Sequence, residues 1–215
     1  TPADLGIVTG GSDYSNVLPN LTLQWDLNDK WNLNLALTQS LARPAYYDLV
    51  PYEYSNSDDQ ELALGNPDLE ASLSTNIDAM VEYYFKGVGL LSLGYFNKNI
   101  EDWIYQYSTN DYIYNGVAGY EMQQLRNGEE ATVNGIELTY QTKFLENFTF
   151  MGNYTITDSS TDKVEGRDDV PLVGQVDNMY NLSLAYETEK FFIRGSYNFA
   201  DASLDELSDK AFEDR

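Results

Sequence analysis

The side chains able to do chemistry in this chain are carboxylates, tyrosines and a few arginines. Asp and Glu number 35 and Tyr 18, against 12 Lys and Arg, with no His and no Cys. Thiolate metal sites, cysteine nucleophiles and imidazole bases are therefore excluded. Asp78 and Glu82 form a carboxylate pair of the kind glycosidases use. Four residues apart on one strand face, they stand roughly 13 Å apart, too far for either glycosidase geometry. Asp58, Asp59 and Glu61 offer oxygens to Ca²⁺ without the EF-hand spacing, so a solvated acidic loop is expected. Asp162, Glu165, Asp168 and Asp169 read the same way. With no phosphate loop and no nucleophile elbow, the chain is not expected to be an enzyme or to need a cofactor.

What remains is binding. Arg43, Tyr46, Tyr47, Tyr52 and Tyr54 cluster in one polar stretch; Tyr107, Tyr112, Tyr114 and Tyr120 cluster in another. Tyr and Arg give large contact area and directed hydrogen bonds at low entropic cost. Rings stack on sugar faces, and rings with Arg meet an anionic iron chelate. For any one of these residues, packing of loop on loop is the competing expectation. The net charge of −23 argues against nucleic acid and against a basic patch holding the chain on anionic lipid.

The dominant sequence period is two, the mark of strands. Leu21, Leu23, Trp25 and Leu27 alternate with Thr22, Gln24 and Asp26; after Asn28-Asp29-Lys30, Trp31, Leu33, Leu35 and Leu37 alternate with polar residues. The pattern recurs over 73–85, 136–144, 148–157, 180–187 and 191–199. The strand expected from Val88 to about Tyr107 alternates poorly. About eight strands in four hairpins result.

Short turns near 28–30, 86–87, 145–147 and 187–190 alternate with long polar connections near 42–68, 108–130 and 159–176. A membrane-crossing meander has this pattern. Aromatics flank the short turns (Trp25, Trp31, Tyr83, Tyr84, Phe85, Phe144, Phe148, Tyr186, Phe191, Phe192) and the opposite ends (Tyr154, Tyr180, Tyr197, Phe199), as two interfacial girdles would. Asp26, Asp78, Glu82, Glu137, Lys143 and Arg194 all fall on polar faces, a segregation a soluble half-buried sheet would share. No apolar run approaches the ~20 residues of a spanning helix. The sequons at Asn20, Asn147, Asn153 and Asn181 arise by chance in alternating strands.

Several motifs resemble the TonB-dependent outer-membrane receptor family: Ser40-Leu41-Ala42-Arg43-Pro44 with Tyr47, Leu49 and Pro51; Gly65-Asn66-Pro67-Asp68-Leu69-Glu70; Gly94-Tyr95-Phe96-Asn97-Lys98-Asn99-Ile100 with Trp103-Ile104; Asn134-Gly135-Ile136-Glu137-Leu138; Asn153-Tyr154-Thr155 with Asp158-Ser159; Asn181 to Glu187; and Arg194-Gly195-Ser196-Tyr197. Their order and spacing over about 19–200 carry the likeness. Pro44 ends a strand, Gly65-Asn66-Pro67 turns the chain, and Gly135 marks a bulge or a close backbone approach.

The resemblance implies an all-β, antiparallel up-and-down meander forming part of a 22-stranded transmembrane barrel around an N-terminal plug. It also implies a Gram-negative outer-membrane location and contact with lipid. Uptake of a nutrient ligand would be driven by the TonB complex through an N-terminal box. Residues 1–215 read as a partial barrel without plug, box or closing strand. Siderophore–iron and oligosaccharide are the two ligand classes, and the motifs do not choose between them. A small outer-membrane adhesin or structural barrel, and a soluble carbohydrate-binding β-sandwich, are the rival readings.

Overall fold

The computed structural model describes residues 15–85, 87, 89–162, 164, 165, 167, 170–208, 213 and 214. Its strands are β1 (Asn20–Asn28), β2 (Trp31–Ala42), β3 (Glu53–Asn56), β4 (Glu61–Leu64), β5 (Ser72–Tyr84), β6 (Gly89–Glu101), β7 (Ile104–Tyr114), β8 (Val117–Asn127), β9 (Glu130–Phe144), β10 (Phe148–Thr161), β11 (Asn178–Glu187), β12 (Phe192–Ala200), β13 (Leu204–Ser208) and β14 (Glu213–Asp214). Eight of them form one wall in the order β1-β2-β5-β6-β9-β10-β11-β12, antiparallel throughout. The wall is open, with β1 and β12 at its edges.

Register makes the faces continuous. Trp25, Leu33, Val81, Leu93, Leu138 and Tyr154 stand in one row across six strands. Because side chains alternate, a one-residue slip would send this whole set to the other face. None of the described residues forms a layer over it: Leu23 is 53% exposed, Leu93 49% and Leu184 47%. On β9 the apolar face runs from Phe144 to Ile136 and ends at Asn134. That is about 27 Å of strand, or about 20 Å of height at barrel tilt, near the apolar band of an outer-membrane barrel.

The opposite face is polar. Asn34 Nδ2 donates to Glu82 Oε2 at 3.3 Å, and Arg194 Nε donates to Ser183 Oγ at 2.8 Å. Phe96 is an exception on this face. It lies across Gly135, where an added Cβ would sit 2.2 Å from its ring. Gly135 therefore marks a close approach and not a bulge, since the β6–β9 and β9–β10 registers run through it without a shift.

Both aromatic girdles are present. At the short-turn end, rings meet at Trp31–Tyr83 (4.7 Å), Tyr83–Phe85 (4.9 Å), Phe85–Tyr140 (6.0 Å), Tyr140–Phe150 (6.1 Å) and Phe148–Tyr186 (4.8 Å). At the other end Tyr180 meets Tyr154 (6.4 Å), Tyr197 (5.9 Å) and Phe199 (4.9 Å). Tyr84 departs from the expected girdle: its hydroxyl donates to Glu82 on the polar face. Of the short turn near 86–87, Lys86 lies outside the described residues, as does Val88.

Two expectations need correction. The strand drawn from Val88 to about Tyr107 is two strands. β6 stops at Glu101, Asp102 takes a positive φ of 54°, and β7 leaves for another sheet. The long connections near 42–68 and 108–130 also hold strands beyond the eight expected. They contribute β3, β4, β8 and most of β7, which join β13 and β14, following the wall, in a second sheet of order β14-β13-β7-β8-β4-β3. Its β4–β8 and β7–β13 pairings are parallel and join segments far apart in sequence, which no local period reveals.

Candidate functional site

The second sheet stands at the long-connection end of the wall; Tyr54, Tyr107, Tyr112, Tyr114 and Tyr120 lie on its strands, and Tyr46, Tyr47 and Tyr52 in the connection leading into β3. A hinge fixes the sheet there. Asn127 Nδ2 donates to Asp102 O (2.7 Å) and Glu70 O (3.1 Å), while its Oδ1 accepts from Glu70 N (2.9 Å). Ser72 Oγ also donates to Asp102 O at 2.9 Å. Trp103 is 4% exposed and lies against Gly128, where a Cβ would fall 2.3 Å from the indole nitrogen. Three chain segments thus converge on one amide side chain. The Asn127-Gly128 dipeptide is the local turn signal that could have revealed this corner.

The Gly65-Asn66-Pro67 stretch positions the first tyrosine group. A Cβ on Gly65 would lie 1.9 Å from Val50 O and 2.8 Å from Cδ1 of Tyr52. The Tyr52 ring therefore rests on bare backbone. Asn66 N donates to Asp48 O at 2.8 Å, and its Nδ2 donates to Leu125 O at 2.9 Å, fastening this segment to β8. Tyr47 stacks on Tyr52 with centroids 4.5 Å apart. Burial, reinforced by Tyr47 and Asp48, raises the Tyr52 phenol above its ordinary pKa. Tyr46 and Tyr54 project outward, 85% and 62% exposed, and Arg43 is exposed at the end of β2.

The second group divides. Tyr120 is buried with Leu62 and Met122, and Tyr114 packs edge-on against it at 5.2 Å while donating its hydroxyl to Glu53. Tyr107 lies beneath the Arg126 guanidinium, 3.7 Å from carbon to ring centre. Of this group Tyr112 is exposed, while Tyr107 and Tyr114 are half-buried. Loop packing, the competing expectation, accounts for Tyr107, Tyr114 and Tyr120. The β4–β8 ladder and the Tyr114–Glu53 contact bring both groups onto one sheet.

Sequence reasoning missed a latch. Glu165 Oε1 accepts from Arg126 Nη1 at 2.8 Å and from the Tyr105 hydroxyl at 2.8 Å. Burial first, then the Glu165 hydrogen bond, raises the Tyr105 phenol above its ordinary pKa. Glu165 was expected in a solvated acidic loop; it ties the β10–β11 connection to β7 and β8. Val164 and Val170 from that connection pack with Trp103, Tyr105 and Ala131. Thr161 Oγ1 donates to Val170 O, and Leu172 N donates to Ser159 Oγ, so the connection lies along the polar face of β10. Asp168 and Asp169 lie outside the described residues. Among the described residues no three metal-ligating side chains gather.

A family model described as TonB dependent receptor-like, beta-barrel matches residues 1–211. The chain belongs to the TonB-dependent receptor β-barrel family. Solved structures agree on the fold. The ferric enterobactin receptor (PfeA) of Pseudomonas aeruginosa, in a mutant complexed with enterobactin, has a TM-score of 0.67 at 21% identity, over 88% of this chain and 28% of that one. The siderophore receptor PirA of Acinetobacter baumannii gives 0.65 at 19%, over 93% and 30%. The copper transporter OprC gives 0.61 at 16%, over 86% and 26%. Comparison with curated proteins returns no match. The chain spans under a third of the length of these receptors.

Membership of the TonB-dependent receptor family accounts for the open wall. Two open edges, β1 and β12, are what an arc of a larger barrel has. It also sets the sides. In a membrane-spanning barrel of this family, an apolar outer face meets lipid and a polar face lines the lumen, with long connections at one mouth.

Proposed function

We propose that this chain is one sector of an outer-membrane receptor that imports a large nutrient with energy supplied through TonB. Residues 1–215 form a single partial-barrel unit in this reading, completed by further strands and a plug. The observation that carries it is the apolar band, about 20 Å high, uncovered on one side and bounded by rings at both ends. Any soluble reading would have to bury that surface, since contiguous apolar patches of this size are rare on monomers. The outer mouth presents Arg43, Tyr46, Tyr47, Tyr52, Tyr54 and Tyr112 to the ligand, with Tyr107 and Tyr114 supporting them from beneath.

The reading is tested on the full-length gene product. It is expected in the detergent-requiring outer-membrane fraction, with ligand uptake abolished by a protonophore while surface binding persists. Release into the soluble fraction without detergent would sink it. Uptake indifferent to the protonophore would remove the TonB coupling and leave a passive barrel, the adhesin-like alternative.

A further inference from the structure

Four strands of the mouth sheet, β3, β4, β7 and β8, contain a single cationic residue, Arg126. That guanidinium is already engaged: Nη1 with Glu165, Nε with Gln124 and its plane with Tyr107. Arg43 and Arg167, elsewhere at this end, hold partners too. Around them stand Asp48, Glu53, Asp58, Asp59, Glu61 and Glu121. An anionic chelate would meet a negative field on this sheet, whose one guanidinium is already engaged.

One face of this sheet is shaped for something else. Tyr52 lies over Gly65, and Tyr54, two residues on, projects to the same side. Tyr54 pairs with Ala63, Ala63 with Gln123, and Gln123 with Ser108, so Gln123 shares this face. Gln106 Nε2 donates to Gln123 Oε1 at 3.2 Å, and Gln123 Nε2 donates to Glu121 Oε1 at 2.9 Å. The result is a ledge of open rings beside a row of amides. Flat rings match the CH faces of sugars, and amides both donate to and accept from hydroxyls. The nearby carboxylates are turned to protein donors: Asp48 to Ala45 N, Glu53 to Tyr114, Asp59 to Asn56 and Glu121 to Gln123. They repel anions without forming an open cage for a cation.

Resting on the receptor reading above, we propose that the mouth face bearing Tyr47, Tyr52, Tyr54, Gln106 and Gln123 takes an uncharged, hydroxyl-rich ligand, a glycan chain. It rejects anionic iron chelates. The full-length receptor in detergent is presented with three labelled probes at physiological salt: a size-fractionated pool of neutral oligosaccharides, a ferric tris-catecholate trianion and oligolysine. The neutral pool is retained; the trianion is not. Tyr54→Ala and Gln123→Ala each weaken retention about tenfold, a loss of about 1.4 kcal/mol. Tyr54→Phe, which keeps the ring, stays within about threefold of wild type. Saturable binding of the trianion or of oligolysine in place of the glycan pool overturns the proposal. So does an outer-membrane receptor that retains none of the probes, although the barrel reading then stands. A full-length chain that fractionates as a soluble protein defeats both.

Discussion

Glu165 and Arg126 meet at 2.8 Å across 39 residues of sequence, and that contact holds the β10–β11 connection against the β7–β8 hairpin. Both side chains are about one-third exposed, so solvent screens the pair. An isolated pair of this kind contributes about 1 kcal/mol or less. The Tyr105 hydroxyl and the Tyr107 ring add to it, since aromatic contacts with a guanidinium contribute a further ~0.5–1 kcal/mol. Glu165→Gln is expected to loosen the connection without disturbing the wall. A cysteine placed at Val170, which is 3% exposed, should resist a membrane-impermeant maleimide in the parent and react in the Glu165→Gln receptor. Equal reactivity in both would show that the latch is dispensable.

The same contact makes the connection sensitive to alkali. Tyr105 binds its proton more tightly in the folded chain than in the unfolded one. Its stabilising contribution is therefore complete below the ordinary tyrosine range and declines as pH rises through the elevated folded value. Absorbance titration of the parent against Tyr105→Phe should show a phenol ionising later than the solvent-exposed ones. A missing phenol that titrates near pH 10 would contradict this.

Adjacent residues on β9 test the sides of the wall. Leu138 lies on the uncovered apolar face, and Thr139 on the polar face beside Ser92 and Asn153. In the full-length receptor folded into vesicles, Leu138→Arg should cost about 2–4 kcal/mol if the site lies near the midplane, and less near an interface. Thr139→Arg should cost well under half as much. Urea titration reads both. Similar costs at the two positions would mean that the two faces are not solvated differently.

Gly65 should tolerate no side chain. An alanine Cβ would overlap Val50 O, a backbone atom that cannot swing aside, and would push Tyr52 off its seat. Overpacking of this kind costs about 1–3 kcal/mol. Gly65→Ala is therefore expected to lower ligand capture and to raise protease sensitivity in 43–66 while the barrel still assembles. Normal capture and protection would show that the ring seat does not matter.

Gly135 has a similar constraint inside the barrel. Gly135→Ala meets both the Phe96 ring and Ile156 O. Adding Phe96→Ala removes only the first of these contacts. The double variant should recover part of the lost stability and not all of it, as measured by a double-mutant cycle in urea. Full recovery would mean that the backbone contact is not limiting.

Alternation in the amino-acid sequence was enough to determine seven of the wall's eight strands; β6, which alternates poorly, was fixed by its pairing with β5 and β9. Leu, Val and Ile at every second position can serve only one face of a strand, and Asp78, Glu82, Glu137 and Arg194 then mark the other. Short turns beside Trp31, Phe148 and Phe191 set the end of each hairpin; Gly65-Asn66-Pro67 announced a turn, and Gly135 a bulge or a close backbone approach. The mouth was different. Asp102 breaks the β6–β7 run through a left-handed backbone, although its residue type alone does not demand one. Asn127, Arg126 and Glu165 acquire their roles only when segments 25 to 60 residues apart come together. Parallel pairing of β4 with β8 has no periodic signature, because its partners are selected by the wall that carries them. Local side-chain order decided which face is wet and which is greasy; long-range closure decided which tyrosines remain open to a ligand and which became core.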